Sequence, residues 1–193
     1  MSMVQYDHYD GLIFDMDGTL LDSEPIHRQA WQEVVGRYGM DYDLMAMIAL
    51  NGSPTVRIAQ AIIEHNHSTL DPHALAAEKN RLVEGMLLDG VRPLPLAEVA
   101  RAYKGRRPMA IGTGSEHRLA EALLRRLGLG DCFQVIVAAD DVQRHKPDPQ
   151  TFLRCAALMG VAAARCVVFE DADYGIQAAV AAGMDWVDVR CLQ

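Results

Sequence analysis

Five short β-rich runs punctuate the chain, and four of them break off into stretches rich in Asp, Glu, Thr or Gly. Leu12-Ile13-Phe14 gives way to Asp15-Met16-Asp17-Gly18, and Met109-Ala110-Ile111 to Gly112-Thr113-Gly114-Ser115. Val135-Ile136-Val137 is followed by Ala138-Ala139-Asp140-Asp141, and Cys166-Val167-Val168-Phe169 by Glu170-Asp171. The fifth run is Trp186-Val187-Asp188-Val189. Helical patterns lie between them near 116–127, 149–159 and 173–182, the last closed by Gly183 as a C-cap. Strand-like runs alternating with helices predict a parallel sheet joined by crossover helices.

One connection is too long for a crossover. About ninety residues separate the first two runs, where about a dozen suffice. The insert reads as helix near 24–38, 43–48, 54–65 and 72–88. Ile58, Ala61 and Ile62 recur at helical spacing, and Asp71-Pro72 is a helix-start signal. The expected architecture is therefore α/β, with a Rossmann-like parallel sheet core formed by 1–21 and 89–193. A helical cap domain at 22–88 is inserted into it, with hinges at Leu20-Leu21-Asp22-Ser23 and Asp89-Gly90-Val91-Arg92-Pro93.

At 193 residues the chain can bury a core without disulfide or zinc staples. The 26 acidic against 18 basic residues give a formal charge of −8, which argues against a nucleic-acid or anionic-membrane surface. An anionic substrate stays open, because a bound cation can reverse the local sign. Cys132, Cys155, Cys166 and Cys191 form no C-x-x-C pair and read as reduced thiols of a cytoplasmic protein. The start, Met1-Ser2-Met3-Val4-Gln5-Tyr6-Asp7, lacks a signal-peptide pattern, and Ala156 to Ala164 is too short to span a bilayer. No residue pattern demands a dimer, so a monomer is expected.

The acids at the strand ends are the chemical signal. Residues two apart on a strand share a side, so Asp15 and Asp17 can face one site. Open parallel sheets bind ligands beyond the carboxyl ends of their strands. If the runs ending at Asp15 and Glu170-Asp171 are neighbours, three or four carboxylates converge. Such a cluster needs a cation, and an oxygen-rich site of this kind suits Mg²⁺. Each acid taken singly is equally compatible with a turn or a helix cap, Asp171 above all. Gly112-Thr113-Gly114 suggests a dinucleotide loop only superficially, since His117 stands where a third glycine belongs and no Walker-type lysine follows.

Four motifs taken together resemble the haloacid dehalogenase superfamily of phosphatases. Asp15-Met16-Asp17-Gly18-Thr19-Leu20 resembles its first motif and Thr113-Gly114-Ser115 its second. Lys146, in His145-Lys146-Pro147-Asp148-Pro149, and Glu170-Asp171-Ala172 resemble the third and fourth, in the family's order. The insert is similar to the helical C1 cap of the β-phosphoglucomutase-like subgroup. The resemblance implies that Asp15 attacks phosphorus and that Asp17 is the acid–base residue. It implies Mg²⁺ on the Asp15 carboxylate, the Asp17 backbone carbonyl and Asp171, with Glu170 acting through water. Thr113, the Gly114 amide and Lys146 would hold the phosphoryl oxygens. A dehalogenase lacks the second aspartate, so Asp17 argues against that chemistry.

Asn51-Gly52-Ser53-Pro54-Thr55 and Pro93-Leu94-Pro95-Leu96 extend the similarity to phosphatases of small sugar phosphates, with fructose 1-phosphate the first expectation and 6-phosphogluconate the second. A phosphosugar mutase of the β-phosphoglucomutase kind is the alternative. Closure of the cap would exclude water and add leaving-group contacts. His27, Asn51 and Arg57 are its candidate substrate residues, each equally compatible with a solvated helix or loop position. Met45-Ala46-Met47 is expected to pack inside the cap.

Overall fold

In the computed structural model, residues 5–48, 50 and 54–192 are described. The chain falls into two compact units, one comprising Met1–Asp22 with Arg92–Gln193 and the other Ser23–Val91.

The first unit is built on five parallel strands: β1 (Gly11–Phe14), β2 (Met109–Gly112), β3 (Val135–Val137), β4 (Cys166–Glu170) and β5 (Asp185–Asp188). Their order across the sheet is β3-β2-β1-β4-β5. The two runs that end in acids are thus neighbours, with Phe14 opposite Phe169. Every residue of β1, β2 and β4 is buried, as expected of central parallel strands covered on both faces. That is why these runs are continuously apolar rather than alternating. The core gathers Ile13, Ala110, Val168, Phe152 and Ala178, and Phe14 stacks on Phe169 with centroids 4.6 Å apart.

Among the described residues, the second unit holds four helices, α1 (Glu24–Arg37), α2 (Leu44–Ile48), α3 (Thr55–His65) and α4 (Pro72–Gly90). Asp71 caps α4 by accepting from the His73 amide, and Pro72 takes the first turn, where its missing N–H costs nothing. Trp31, Val34, Val35, Ile62, Ile63 and Leu75 form its core. Met47 joins that core, but Met45 is 74% exposed, so only half of the expected methionine packing is realised. Helix α2 explains this: residues two apart on a helix lie on different faces.

The remaining helices are α5 (Leu96–Tyr103), α6 (His117–Arg126), α7 (Gln150–Met159) and α8 (Asp173–Ala181). Helix α5 was not expected from the sequence. Pro93 read as the end of a hinge and no helix was read after it, yet proline is welcome at a helix start, and Pro95 sits at the N-cap with φ −55°. The following turns bury Leu96, Ala97, Val99, Ala100 and Tyr103. Gly183 ends α8 as expected: it has φ +67°, and the Met184 amide reaches back to the Ala179 carbonyl at 3.1 Å. Among the described residues, no helix is long and apolar enough to cross a membrane.

Candidate active site

The site lies at the carboxyl edge of the sheet, where β1, β2 and β4 run out side by side. The Asp15 amide donates to the Phe169 carbonyl at 2.9 Å, so the β1–β4 ladder continues one residue past β1 and fixes the start of the first motif. The chain then turns sharply. The Met16 carbonyl accepts the Thr19, Leu20 and Leu21 amides, and Gly18 adopts φ +79°. A side chain at residue 18 is excluded twice, because its Cβ would also lie 2.3 Å from Asp171 Oδ2.

Asp15, Glu170 and Asp171 each offer a carboxylate oxygen, and the three oxygens lie within 4.8 Å of one another. Lys146 closes the group, with its Nζ 2.6 Å from Asp15 Oδ1 and 2.8 Å from Glu170 Oε2. The Asp171 and Ala172 amides donate to Glu170 Oε1, and Thr19 Oγ1 donates to Asp171 Oδ1 at 2.9 Å. Both Glu170 oxygens are therefore engaged by protein groups, while Asp15 and Asp171 each commit one oxygen to such a bond.

Burial, together with the repulsion of Glu170, pushes the Asp15 carboxyl well above the usual carboxylate range despite the opposing pull of Lys146. The same two causes lift Asp171 to about 6. Burial works against the Lys146 ammonium, but Asp15 and Glu170 outweigh it and hold the lysine above its ordinary value. One ammonium among three carboxylates leaves excess negative charge, so the donor set fits a metal cation with hard oxygen ligands.

The second motif is attached to the first. Thr113 is buried, its amide donates to the Val137 carbonyl at 2.9 Å, and its Oγ1 accepts from the Ser115 amide. Ser115 Oγ donates to Asp17 Oδ2 at 2.7 Å. Gly114 is exposed, and a Cβ there would meet nothing, so steric room alone does not call for glycine at that position. His117 anchors the far side of this loop through its Nδ1 to Asp141 Oδ2 at 2.7 Å and its amide to Asp140.

Of the residues singled out in the sequence, Asp15, Asp17, Thr113, Gly114, Lys146, Glu170 and Asp171 all belong to this unit and this edge of the sheet. His27 and Arg57 belong to the helical unit, on α1 and α3, and Asn51 lies outside the described residues. Arg57 is exposed. His27 Nδ1 accepts from Lys79 Nζ at 2.7 Å, and Lys79 is buried 5.6 Å over the Trp31 ring. Lys79 was not singled out from the sequence. Its signal was a lysine at a core-facing position of α4, between Ala76 and Val83. Ser115 was quoted within its motif but given no role; its contact with Asp17 spans 98 positions and leaves no local trace.

A parallel sheet in this strand order, with acids converging beyond neighbouring strands, defines a Rossmann-like α/β core with a carboxylate-rich site at its carboxyl edge. The family model described as hydrolase, haloacid dehalogenase-like hydrolase, matches residues 9–183, and the chain belongs to that family. It is a hydrolase, and the family's aspartyl-phosphate chemistry comes with membership. The chain is 67% identical over 187 residues to the fructose-1-phosphate phosphatase YqaB of Escherichia coli, covering 97% of this chain and 100% of that one. It is 31% identical to the β-phosphoglucomutase of Bacillus subtilis, covering 92% of this chain and 82% of that protein. A crystal structure of a HAD family hydrolase from Deinococcus radiodurans with bound phosphate and sodium superposes with a TM-score of 0.74. It is 30% identical, with 93% of this chain and 80% of that one covered.

Proposed function

We propose that the protein is a Mg²⁺-dependent phosphomonoesterase acting on small sugar phosphates in the cytoplasm, with fructose 1-phosphate the preferred substrate and 6-phosphogluconate a second. The convergence of the Asp15, Glu170 and Asp171 carboxylates, with the Lys146 ammonium bonded to the first two, carries the reading. The identity with the E. coli phosphatase supports the choice of sugar.

In this reading Asp15 is the nucleophile. Its carboxylate oxygen forms a bond to phosphorus while the bond from phosphorus to the sugar oxygen breaks. Asp17 delivers a proton to that departing oxygen, so the sugar leaves as a neutral alcohol. Asp17 then takes a proton from water as the water oxygen attacks the aspartyl-phosphate, releasing inorganic phosphate and restoring Asp15. Ser115 holds the Asp17 carboxyl ready for this exchange. Thr113, the Gly114 amide and Lys146 spread the charge of the phosphoryl oxygens, which is most of what phosphoryl transfer asks of a protein. Asp15, the Asp17 carbonyl and Asp171 would hold Mg²⁺, with Glu170 acting through water; when bound, the ion neutralises carboxylate and phosphoryl charge. Selectivity among sugars is assigned to the helical unit through His27, Asn51 and Arg57.

The test is a phosphate-release screen with Mg²⁺ over fructose 1-phosphate, 6-phosphogluconate, glucose 1-phosphate and glucose 6-phosphate. Stoichiometric inorganic phosphate from the first two is expected. Conversion of glucose 1-phosphate to glucose 6-phosphate without phosphate release would establish a mutase instead. Asp17→Asn should leave substrate binding close to wild type while turnover falls by at least about 10²-fold, the usual size of a lost acid–base group. Steady-state kcat and KM check this, and near-normal kcat would remove Asp17 from the role.

Mg²⁺ should also stabilise the fold in a pH-dependent way. Asp171 is raised to about 6 without a cation, so the ion competes with a proton at low pH and meets a free carboxylate above that value. Thermal melts with Mg²⁺ and with chelator should differ more at pH 7.5 than at pH 5. An equal or reversed difference would remove Asp171 from the cation site.

A further inference from the structure

We propose that Phe152 is a positioning residue for the phosphate-binding lysine, holding the Lys146 ammonium against its ring face. The inference rests on the phosphatase reading above and adds a residue to its machinery.

Phe152 lies in the first turn of α7, six positions after Lys146, and is fully buried in the core. Its ring centroid is 4.8 Å from Lys146 Nζ. The same ring packs against the end of β2: a Cβ on Gly112 would stand 3.0 Å from two of its carbons. One rigid side chain therefore touches both the residue preceding Thr113 and the ammonium of the third motif. Packing against Gly112 and the core fixes the ring, and the ring face then fixes the lysine.

Lysine needs such help. Its stem has four rotatable bonds, and the two carboxylates that attract the ammonium also compete with phosphate for it. A ring face attracts the cation without neutralising it, so the ammonium keeps its full charge for phosphoryl oxygens. An aliphatic side chain of similar volume would fill the space without that attraction.

The experiment replaces Phe152 with phenylalanines carrying one, two and three ring fluorines, which draw charge from the ring face while nearly keeping its shape. Affinity for inorganic phosphate is measured calorimetrically and kcat/KM on the best sugar phosphate is measured in parallel, with a thermal melt for every variant. Phosphate affinity and kcat/KM should both fall stepwise with fluorine number, reaching about tenfold for three fluorines, the size of a partly desolvated cation–π contact. Melting temperatures should stay together. Phe152→Leu should fall at least as far as the trifluoro variant.

Flat affinity across the fluorine series would overturn the proposal, since packing alone is blind to ring charge. A loss that tracks melting temperature instead of fluorine number would also overturn it. Failure of the phosphatase reading shows elsewhere, as wild-type protein that releases no phosphate from any sugar phosphate, and the phosphate-binding series can still be read in that case.

Discussion

Asp15→Asn is expected to abolish phosphate release, by about 10⁴-fold or more on the scale of lost nucleophiles, while making the cation-free protein more resistant to heat. The two effects have one origin. Asp15 is buried beside Glu170 and Asp171, and burial together with Glu170 raises its pKa well above 3.8. Between the unfolded value and the raised one, the folded chain binds more protons than the unfolded chain. Stability contributed at this site therefore falls as pH rises through that window and does not return above it. An amide removes the penalty and can still accept from Lys146, but it offers no anionic oxygen to attack phosphorus. Melts in chelator should show Asp15→Asn close to wild type below about pH 4, the ordinary aspartate range, and above it at pH 8. Added Mg²⁺ should narrow the gap, because the ion neutralises the wild-type cluster. Retained turnover would refute Asp15 as nucleophile. A lower melting temperature at pH 8 without metal would refute the charge account.

Much of this site was legible because its residues sit where apolar runs stop. A buried strand announces itself by continuous Leu, Ile, Val and Phe, and Asp15, Thr113 and Glu170 stand out against that background. The family resemblance supplied Lys146, which no local pattern singles out. What the sequence could not show is which strands are neighbours: β1 lies between β2 and β4, a matter of pairing over more than 150 positions. The contact of Ser115 with Asp17 depends on that order and was hidden with it. Helix α5 was hidden for a different reason, since two prolines mask a helix start as readily as they mark a linker. Lys79 was visible as a polar residue on an apolar face, but its partner His27 lies 52 positions away.

Gly175 is the position where a single methyl group should cost most. It sits in the first turn of α8, and a Cβ there would lie 1.9 Å from Glu170 Oε2 and 2.0 Å from its Cδ. The carboxylate cannot simply step aside. Glu170 is 1% exposed, with Oε1 held by the Asp171 and Ala172 amides and Oε2 by Lys146. Gly175→Ala must therefore either displace α8 or break those bonds, stranding a buried carboxylate and freeing Lys146 from one of its two anchors. Removing one partner of a buried ion pair costs about 3–5 kcal/mol, enough to threaten the fold. Turnover should fall by about 10²-fold or more, since Lys146 and Asp171 both lose their places. A double-mutant cycle separates the cause from general damage to the helix. If the collision with Glu170 is responsible, Gly175→Ala should cost much less stability in a Glu170→Ala background than in the wild type, with a coupling of about 1–3 kcal/mol. Chemical denaturation of the four proteins measures it. Additive effects would mean that the alanine acts through α8 alone, and that the absence of a side chain at 175 is not what makes room for the glutamate.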